Sequence, residues 1–135
     1  MIKYQQEARV TITEFIEILK SSTLGERRPV DDPGRIEKMI ANANLIITAR
    51  DSGKLIGIAR SISDFTYCTY LSDLAVDIEY QKQGIGKELI KLTKKLTSSA
   101  KLILLSAPAA VDYYPHIGMN RHEYCYYIDT LEDLK

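Results

Sequence analysis

Apolar residues recur at the spacing of a helix in three parts of the chain. From Gly84 to about Ser98 they are spaced by four, three and four residues, which predicts an amphipathic helix with lysines on its other faces. A second helix should begin at Thr11 or Thr13, either of which can cap it, and a shorter one should lie near residues 35–43. The apolar residues behind these predictions are Phe15, Ile16, Ile18, Leu19, Ile36, Met39, Ile40, Ile85, Leu89, Leu92 and Leu96.

Elsewhere the apolar residues form the short runs that are typical of β-strands. Residues 45–49 and 55–60 are two such runs, and the turn residues between them, which include Gly53, predict a hairpin. The run at 101–106 is apolar enough to predict a buried strand. Further strands are expected at an edge position at 2–8, at about 68–76, and in the tyrosine-rich segment 119–128.

The order of these elements predicts the fold class. A strand and two helices precede three strands, a helix and a strand; a short helix from Ala109 to about His116, closed by Gly118, then precedes the last strand. This order is typical of an α/β or α+β fold, in which a central mixed sheet has helices on both faces. A length of 135 residues with 45% hydrophobic content fits a single domain, residues 1–135.

Composition narrows the possible functions. Eighteen basic and eighteen acidic side chains give a formal charge of zero, which disfavours a nucleic-acid partner. No apolar run is long enough for a membrane span, and the first residues lack the features of a signal peptide, so we expect a cytoplasmic protein. Cys68 and Cys125 are expected to be free thiols, and with only two histidines no metal site is predicted.

The strand that ends at Val76 leads into a glycine-containing loop and then into a helix. The loop reads Gln-Lys-Gln-Gly-Ile-Gly over residues 81–86. Glycines allow a tight turn and close approach of an anion, and the first amides of a helix have no partner within it. The amides from Gln83 to Lys87 are therefore predicted to bind a pyrophosphate. The loop fits neither a P-loop, which requires Gly at Gln81, nor a dinucleotide fingerprint, which requires a small residue at Leu89.

This segment resembles motif A of the GNAT (GCN5-related) N-acetyltransferases. The motif requires Gln or Arg, two residues, Gly, one residue, and Gly or Ala, and residues 81, 84 and 86 match it. The resemblance implies the GNAT fold, with acetyl-CoA as co-substrate and no metal. It implies that the backbone of one strand segment holds the pantetheine arm, beside a bulge that splays this strand from the strand at 102–106. The implied cofactor residues are Leu74, Ala75 and Val76 for the pantetheine, and Gln81, Lys82, Gln83, Gly84, Ile85, Gly86 and Lys87 for the pyrophosphate.

A second resemblance covers residues 113–119, where many GNAT enzymes carry Phe-Tyr, three residues and Gly-Phe. It implies that Tyr114 protonates the departing CoA thiolate; packing in the core or against the cofactor is the alternative role. A phenol titrates near 10 and a thiol near 8.5, so a neutral tyrosine can stabilise the charge that develops on sulfur. The chain departs from the family at Ala107, where many relatives have a cofactor-binding asparagine, and at Pro108 and Pro115.

The acceptor side of the site is less constrained by the sequence. Asp73, beside the cofactor strand, is the first candidate for the base that takes the amine proton, with a structural hydrogen-bonding role as the alternative. Tyr70 stands where histone-type relatives carry a glutamate base, so that mechanism does not transfer. Substrate binding is assigned to the loop at 21–34, with Arg28 pairing with an anionic group of the acceptor, and to residues 61–70, with Tyr67 and Tyr70. An ordinary surface loop is the alternative for each segment.

The sequence thus predicts an N-acetyltransferase that moves an acetyl group from acetyl-CoA to a primary amine by direct transfer in a ternary complex. The acceptor amine belongs either to a small molecule or to a protein. A non-catalytic acyl-CoA-binding sensor or interaction module is the alternative of another class. GNAT proteins are often dimers, so the resemblance also implies a possible homodimer.

Overall fold

The computed structural model describes all 135 residues, and the chain divides into two compact units. The first unit comprises Met1–Leu105 and the second Ser106–Lys135, and each is described by itself. The single domain expected from chain length stays a prediction. None of the helices has both the length and the apolar character needed to cross a membrane.

A mixed sheet forms the centre of the first unit, as predicted, although it has five strands and not the six expected from the sequence. The strands lie in the order in which they occur along the chain, and each pair is antiparallel except the last, which is parallel. The strands are β1 (Ile2–Gln6), β2 (Leu45–Asp51), β3 (Lys54–Ser63), β4 (Cys68–Val76) and β5 (Lys101–Ile103). The predicted hairpin joins β2 to β3 through Ser52 and Gly53, which both have positive φ, as a two-residue hairpin turn requires.

Helices cover both faces of this sheet, which confirms the predicted architecture. On one face α1 (Ile12–Ser21) and α2 (Pro33–Ala41) pack against side chains of β2, β3 and β4. On the other face α3 (Ile85–Leu96) packs through Ile85 and Leu89. Neighbouring residues of β2 point to opposite faces, since Ile46 belongs to the first core and Ile47 to the second.

The helix starts follow from capping chemistry. Thr11, one of the two predicted caps, accepts a hydrogen bond from the Glu14 amide at 3.0 Å, and the Glu14 carboxylate accepts from the Thr11 amide at 3.2 Å. Asp32 caps α2 through its side chain, which accepts a hydrogen bond from the Arg35 amide at 3.1 Å, and Pro33 lies in the first turn, where a missing N–H costs nothing. The sequence placed α2 near residues 35–43, two residues too late.

Two sequence predictions concerning strands are wrong. The segment at 101–106 is not a buried strand, because β5 comprises only Lys101–Ile103 at the edge of the sheet, with Ile103 and Leu105 exposed by 40% and 52%. Residues 119–128 form no strand, and their tyrosines are exposed. Alternating or apolar residues are insufficient for a strand, because its backbone groups also require a pairing partner.

The second unit contains two short turns of 3-10 helix and α4 (Tyr113–His116). The continuous helix predicted from Ala109 is therefore wrong, since Pro108–Ala110 is a separate turn. Gly118 does close α4 as predicted, with a φ of 101°. Its amide donates to the Pro115 carbonyl at 3.0 Å, and the Met119 amide donates to the Tyr114 carbonyl at 2.9 Å.

Candidate functional site

The strands β4 and β5 part after three residue pairs. Cys68, Thr69 and Tyr70 face Lys101, Leu102 and Ile103, and no later residue of β4 has a partner on β5. On its other edge, β4 remains paired with β3 as far as Val76. One edge of β4 from Leu71 to Val76 is therefore open, as the splay expected from the family resemblance requires.

A β-bulge accompanies this parting. Arg60 of β3 faces Asp73 and Ser61 faces Leu71, which leaves Ser72 as the extra residue of β4. In an uninterrupted strand, residues four apart point to the same face. Leu71 lies in the core beside α3, whereas Ala75 lies in the opposite core, so the bulge reverses the alternation of side chains. Side chains after the bulge thus point to the face opposite to the one that an uninterrupted strand would give them.

The backbone of β4 presents alternate residues to the open edge. The Asp77 amide donates to the Ile56 carbonyl of β3 at 2.9 Å. Because successive residues of a strand direct their backbone groups to opposite edges, those of Ala75 also face β3, whereas those of Leu74 and Val76 face away from it. Of the three residues predicted to hold pantetheine, Leu74 and Val76 therefore direct their backbone to the open edge.

The glycine loop begins α3 as predicted. Gly84 is the N-cap, with a φ of 81° in the left-handed region, and Lys82 has a φ of 64°. The first amide bonded within the helix is that of Glu88, which donates to the Gly84 carbonyl at 3.0 Å. The amides of Ile85, Gly86 and Lys87 precede it and have no partner in the helix. These amides, with the positive end of the helix dipole, suit an anion.

Two side chains attach this loop to the sheet. The Gln81 amide nitrogen Nε2 donates to the Val76 carbonyl at 2.9 Å, so this side chain closes the connection back onto β4. The Tyr80 hydroxyl donates to the Asp51 carboxylate at 2.7 Å, which joins the loop entrance to the end of β2. This hydrogen bond, together with burial, raises the pKa of Tyr80 above its usual value. Lys82, Gln83 and Lys87 are exposed around the loop.

Asp73 is completely buried and bound by two arginines. Arg28 donates from Nε to one carboxylate oxygen at 2.5 Å, and Arg60 donates from its own Nε to the other. The remaining nitrogens of Arg28 donate to the carbonyls of Arg27 and Ser72, both at 2.8 Å. The roles predicted from sequence, Asp73 as base and Arg28 as acceptor ligand, stay predictions that would require these groups to leave their present partners.

In the second unit, Tyr114 is half-buried at the middle of α4. Its ring meets that of Tyr113 edge to face, with the centroids 5.3 Å apart. Burial, and to a smaller degree the neighbouring Tyr113, raise the pKa of Tyr114 above its usual value. The phenol therefore keeps its proton at neutral pH, as a hydrogen-bond donor to a developing thiolate must.

Comparison with known proteins decides the family. The family model described as Acetyltransferase (GNAT) domain matches residues 28–129, which is most of the chain. The chain belongs to the GNAT acetyltransferase family. The match includes the open edge of β4, the glycine loop and Tyr114.

Relatives of this GNAT chain agree with that assignment. The GCN5-related N-acetyltransferase 2, chloroplastic, of Arabidopsis thaliana is 40% identical over 68 residues, which are 48% of this chain and 26% of the relative. The chain thus spans about a quarter of that curated relative. A probable acetyltransferase of Staphylococcus aureus has the same fold, with a TM-score of 0.79 and 22% identity over 96% of this chain and 100% of that one. An aminoglycoside N-acetyltransferase in complex with CoA has a TM-score of 0.72 and 15% identity over 97% and 95% of the two chains.

Two of the predicted acceptor residues of this GNAT domain, Tyr67 and Tyr70, lie at the start of β4. Tyr67 is 81% exposed, in the connection between β3 and β4, and Tyr70 is 39% exposed. Tyr70 faces Ile62 of β3 on one side and Ile103 of β5 on the other. The three side chains form an exposed apolar row across neighbouring strands.

Sequence reasoning missed the partners of the predicted residues. Arg60, Ser72, Asp51 and Tyr80 were not assigned, although each binds a predicted site residue or supports the glycine loop. The sequence did carry one signal for Arg60, since a charged residue that ends an apolar strand pattern needs a buried partner. It carried no signal for Ser72, because a bulge depends on the register between two strands.

Proposed function

We propose that this GNAT chain transfers an acetyl group from acetyl-CoA to a primary amine. The observation that carries the proposal is the open edge of β4, followed after the 3-10 turn Ile78–Tyr80 and the glycine loop by unpaired amides at the start of α3. A long ligand with an acyl-pantetheine arm and a pyrophosphate matches this order of donors. Family membership supports the same donor, and so does the fold shared with an acetyltransferase that binds CoA.

In this proposal, the pyrophosphate binds the amides that begin α3, and the pantetheine arm pairs with the backbone at Leu74 and Val76. The Leu74 amide is the donor that would polarise the thioester carbonyl, since it lies nearest the bulge on the open edge. The Val76 carbonyl is already bound by Gln81, so the arm would pair with the amide of that residue. Lys82 and Lys87 add positive charge around the phosphates.

The reaction proposed is direct transfer within a ternary complex. The neutral amine nitrogen attacks the thioester carbonyl carbon, the new C–N bond forms, and the C–S bond breaks. Tyr114 gives its proton to the leaving thiolate, the amine proton leaves to solvent, and solvent returns a proton to the Tyr114 phenolate. Most of the rate would come from positioning and from polarisation of the carbonyl. Asp73, whose oxygens are both held by arginines, is assigned no proton transfer in this proposal.

We favour a small-molecule amine as the acceptor. The exposed row of Ile62, Tyr70 and Ile103, with Tyr67 beyond it, offers an apolar surface to the body of such an amine. A likeness to aminoglycoside acetyltransferases supports the same class, although it concerns the fold alone. A protein lysine or amino terminus is the competing acceptor.

The test measures thiol release from acetyl-CoA with a panel of small amines and a lysine peptide. Cys68 and Cys125 are free and exposed, so they are expected to react with thiol reagents, and the assay uses the double serine variant. We expect turnover with at least one amine, and a fall in kcat of about 100-fold in Tyr114→Phe with little change in the KM for acetyl-CoA. Tight CoA binding without turnover on any amine would instead identify a non-catalytic CoA-binding module.

A further inference from the structure

Asp73, Arg28 and Arg60 form a buried cluster of charged side chains. The exposed fractions of the Asp73, Arg60 and Arg28 side chains are 0%, 6% and 21%. Two guanidiniums around one carboxylate leave a net positive charge in a largely dry environment, which is costly unless every donor is bonded. The two arginines therefore use their remaining N–H groups in hydrogen bonds to other partners.

Both arginines also bind Ser72, the extra residue of the bulge. Arg28 donates from Nη2 to the Ser72 carbonyl at 2.8 Å, and Arg60 donates from its own Nη2 to the Ser72 hydroxyl at 3.0 Å. A bulge leaves its extra residue without a partner on the adjacent strand. The two side chains supply that partner, and so they hold both Ser72 and Asp73 in place.

The arginines connect the bulge to separate parts of the first unit. Arg60 lies on β3, and its Nη1 donates to the Met39 carbonyl of α2 at 3.0 Å. Its guanidinium also lies 6.0 Å from the ring centre of Phe15 of α1. Arg28 follows the 3-10 turn Leu24–Arg27 between the two helices. Both helices and their connection are thus tied to one point of β4.

We propose that Arg28, Asp73 and Arg60 form a clamp that positions the Leu74 amide for catalysis. Leu74 is joined to Asp73 by a peptide bond, and its backbone faces the open edge, so the orientation of the bulge sets the direction of that N–H. The inference rests on the proposed function, in which this amide polarises the thioester carbonyl. The clamp residues are positioning residues, because they act through Leu74.

This role predicts a kinetic pattern that a base would not produce. If Asp73 were the base, Asp73→Asn would remove the acid-side limb of the pH profile of kcat, and substitution of Arg28 would leave that limb in place. In a clamp, Arg28 and Asp73 act as one unit. Variants of either residue therefore lower kcat at every pH, and the effects of the two substitutions on the free energy of activation are not additive.

The experiment compares Arg28→Gln, Arg28→Lys and Asp73→Asn with Arg50→Gln as the matched control. Arg50 pairs with two carboxylates in a partly shielded cluster, but it lies on β2, which does not pair with β4. Arg28→Gln should remain folded, because Arg60 still neutralises Asp73. A lysine at 28 keeps the charge but lacks the fixed fork of donors, in which Nε binds Asp73 and Nη2 binds the Ser72 carbonyl.

We expect both Arg28 variants to lower kcat about 10-fold, with the KM for acetyl-CoA within about two-fold of wild type, since small displacements of a catalytic donor are costly. Asp73→Asn should lower kcat by a similar factor, and its pH profile of kcat should keep the acid-side limb. The double variant Arg28→Gln with Asp73→Asn should have a kcat no lower than that of either single variant. Arg50→Gln should lower the melting temperature and leave kcat unchanged.

A folded Arg28→Gln variant with wild-type kcat would overturn the clamp. Loss of the acid-side limb of the pH profile of kcat in Asp73→Asn alone would overturn it as well. A wild-type protein that acetylates no amine overturns the proposed function instead. In that case the Leu74 amide resonance still tests the clamp: it should shift in Arg28→Gln and not in Arg50→Gln, and an unchanged resonance overturns the positioning of this amide.

Discussion

At the scale of single residues, Asp64 shows how one carboxylate organises a connection. It follows β3, and one of its oxygens accepts from the amides of Tyr67, Thr66 and Cys68 at 2.7, 2.8 and 3.1 Å. Phe65, between them, is held at a φ of 60°, which is unusual for a bulky residue. Asp64 therefore fixes the segment that presents Tyr67.

These hydrogen bonds favour the ionised carboxylate and lower the pKa of Asp64 to about 2. Because the pKa of Asp64 is lower in the folded state, its hydrogen bonds contribute fully to stability above about pH 3.9, the usual pKa of an aspartate. This contribution is lost as the pH falls through about 2. We expect NMR titration of the side-chain carboxyl carbon to give a value near 2. Titration near 3.9 would contradict the hydrogen-bonded arrangement, and Asp64→Asn identifies the resonance.

At the scale of elements, the site depends on how the connection from β4 to α3 is held. The residues that shape it are close in sequence, but one of its anchors is distant, since Tyr80 binds Asp51 at the end of β2. The unpaired amides at the start of α3 can act together only if that connection keeps one conformation. The hydrogen bond should therefore matter for anion binding as well as for stability.

We expect Tyr80→Phe to weaken CoA binding by about 3- to 10-fold, which corresponds to the loss of one hydrogen bond of about 1 kcal/mol. The measurement is isothermal titration calorimetry with CoA. Tyr126→Phe is the matched control, because Tyr126 is 87% exposed and should bind CoA as the wild type does. Equal CoA affinities of the Tyr80 variant and the control would show that the anchor is dispensable.

At the scale of the whole molecule, a second ionic cluster joins the residue that follows β1 to α1 and β2. Arg50 donates to Glu7 at 2.8 Å and to Glu14 at 2.5 Å, and the Thr48 hydroxyl also donates to Glu7. The hydrogen bond from Arg50 lowers the pKa of Glu14. Burial alone would raise the pKa of Glu7, but hydrogen bonds from Arg50 and Thr48 lower it overall.

We expect Arg50→Gln to reduce the free energy of unfolding at pH 7 by about 1–3 kcal/mol, a value limited by partial solvent exposure. Both glutamates have lowered pKa values in the folded protein, so this contribution is present above about 4.3 and is lost as the pH falls through those lowered values. The difference between variant and wild type, measured by urea unfolding, should therefore narrow between pH 7 and pH 3. An equal difference in unfolding free energy at pH 7 and pH 3 would show that the stabilisation by Arg50 is not ionic.

Local patterns sufficed for much of this molecule. The spacing of apolar residues placed α1 and α3, the turn residues placed the β2–β3 hairpin, and Gly84 marked the start of α3, because each depends on residues within a few positions of one another. The same locality explains why residues 81–86 led to the GNAT family. A glycine loop is contiguous, so its chemistry can be read along the chain.

Other features depended on distant residues. Arg28 binds Asp73 across 45 positions, and Tyr80 binds Asp51 across 29, which no local spacing encodes. The bulge at Ser72 exists only in the register between β3 and β4. Residues 119–128 have the composition of a strand but form no strand. The sequence alone determined the glycine loop and most of the helices and strands, whereas the tertiary structure decided which charges are buried together, because burial requires residues that are far apart in sequence to meet.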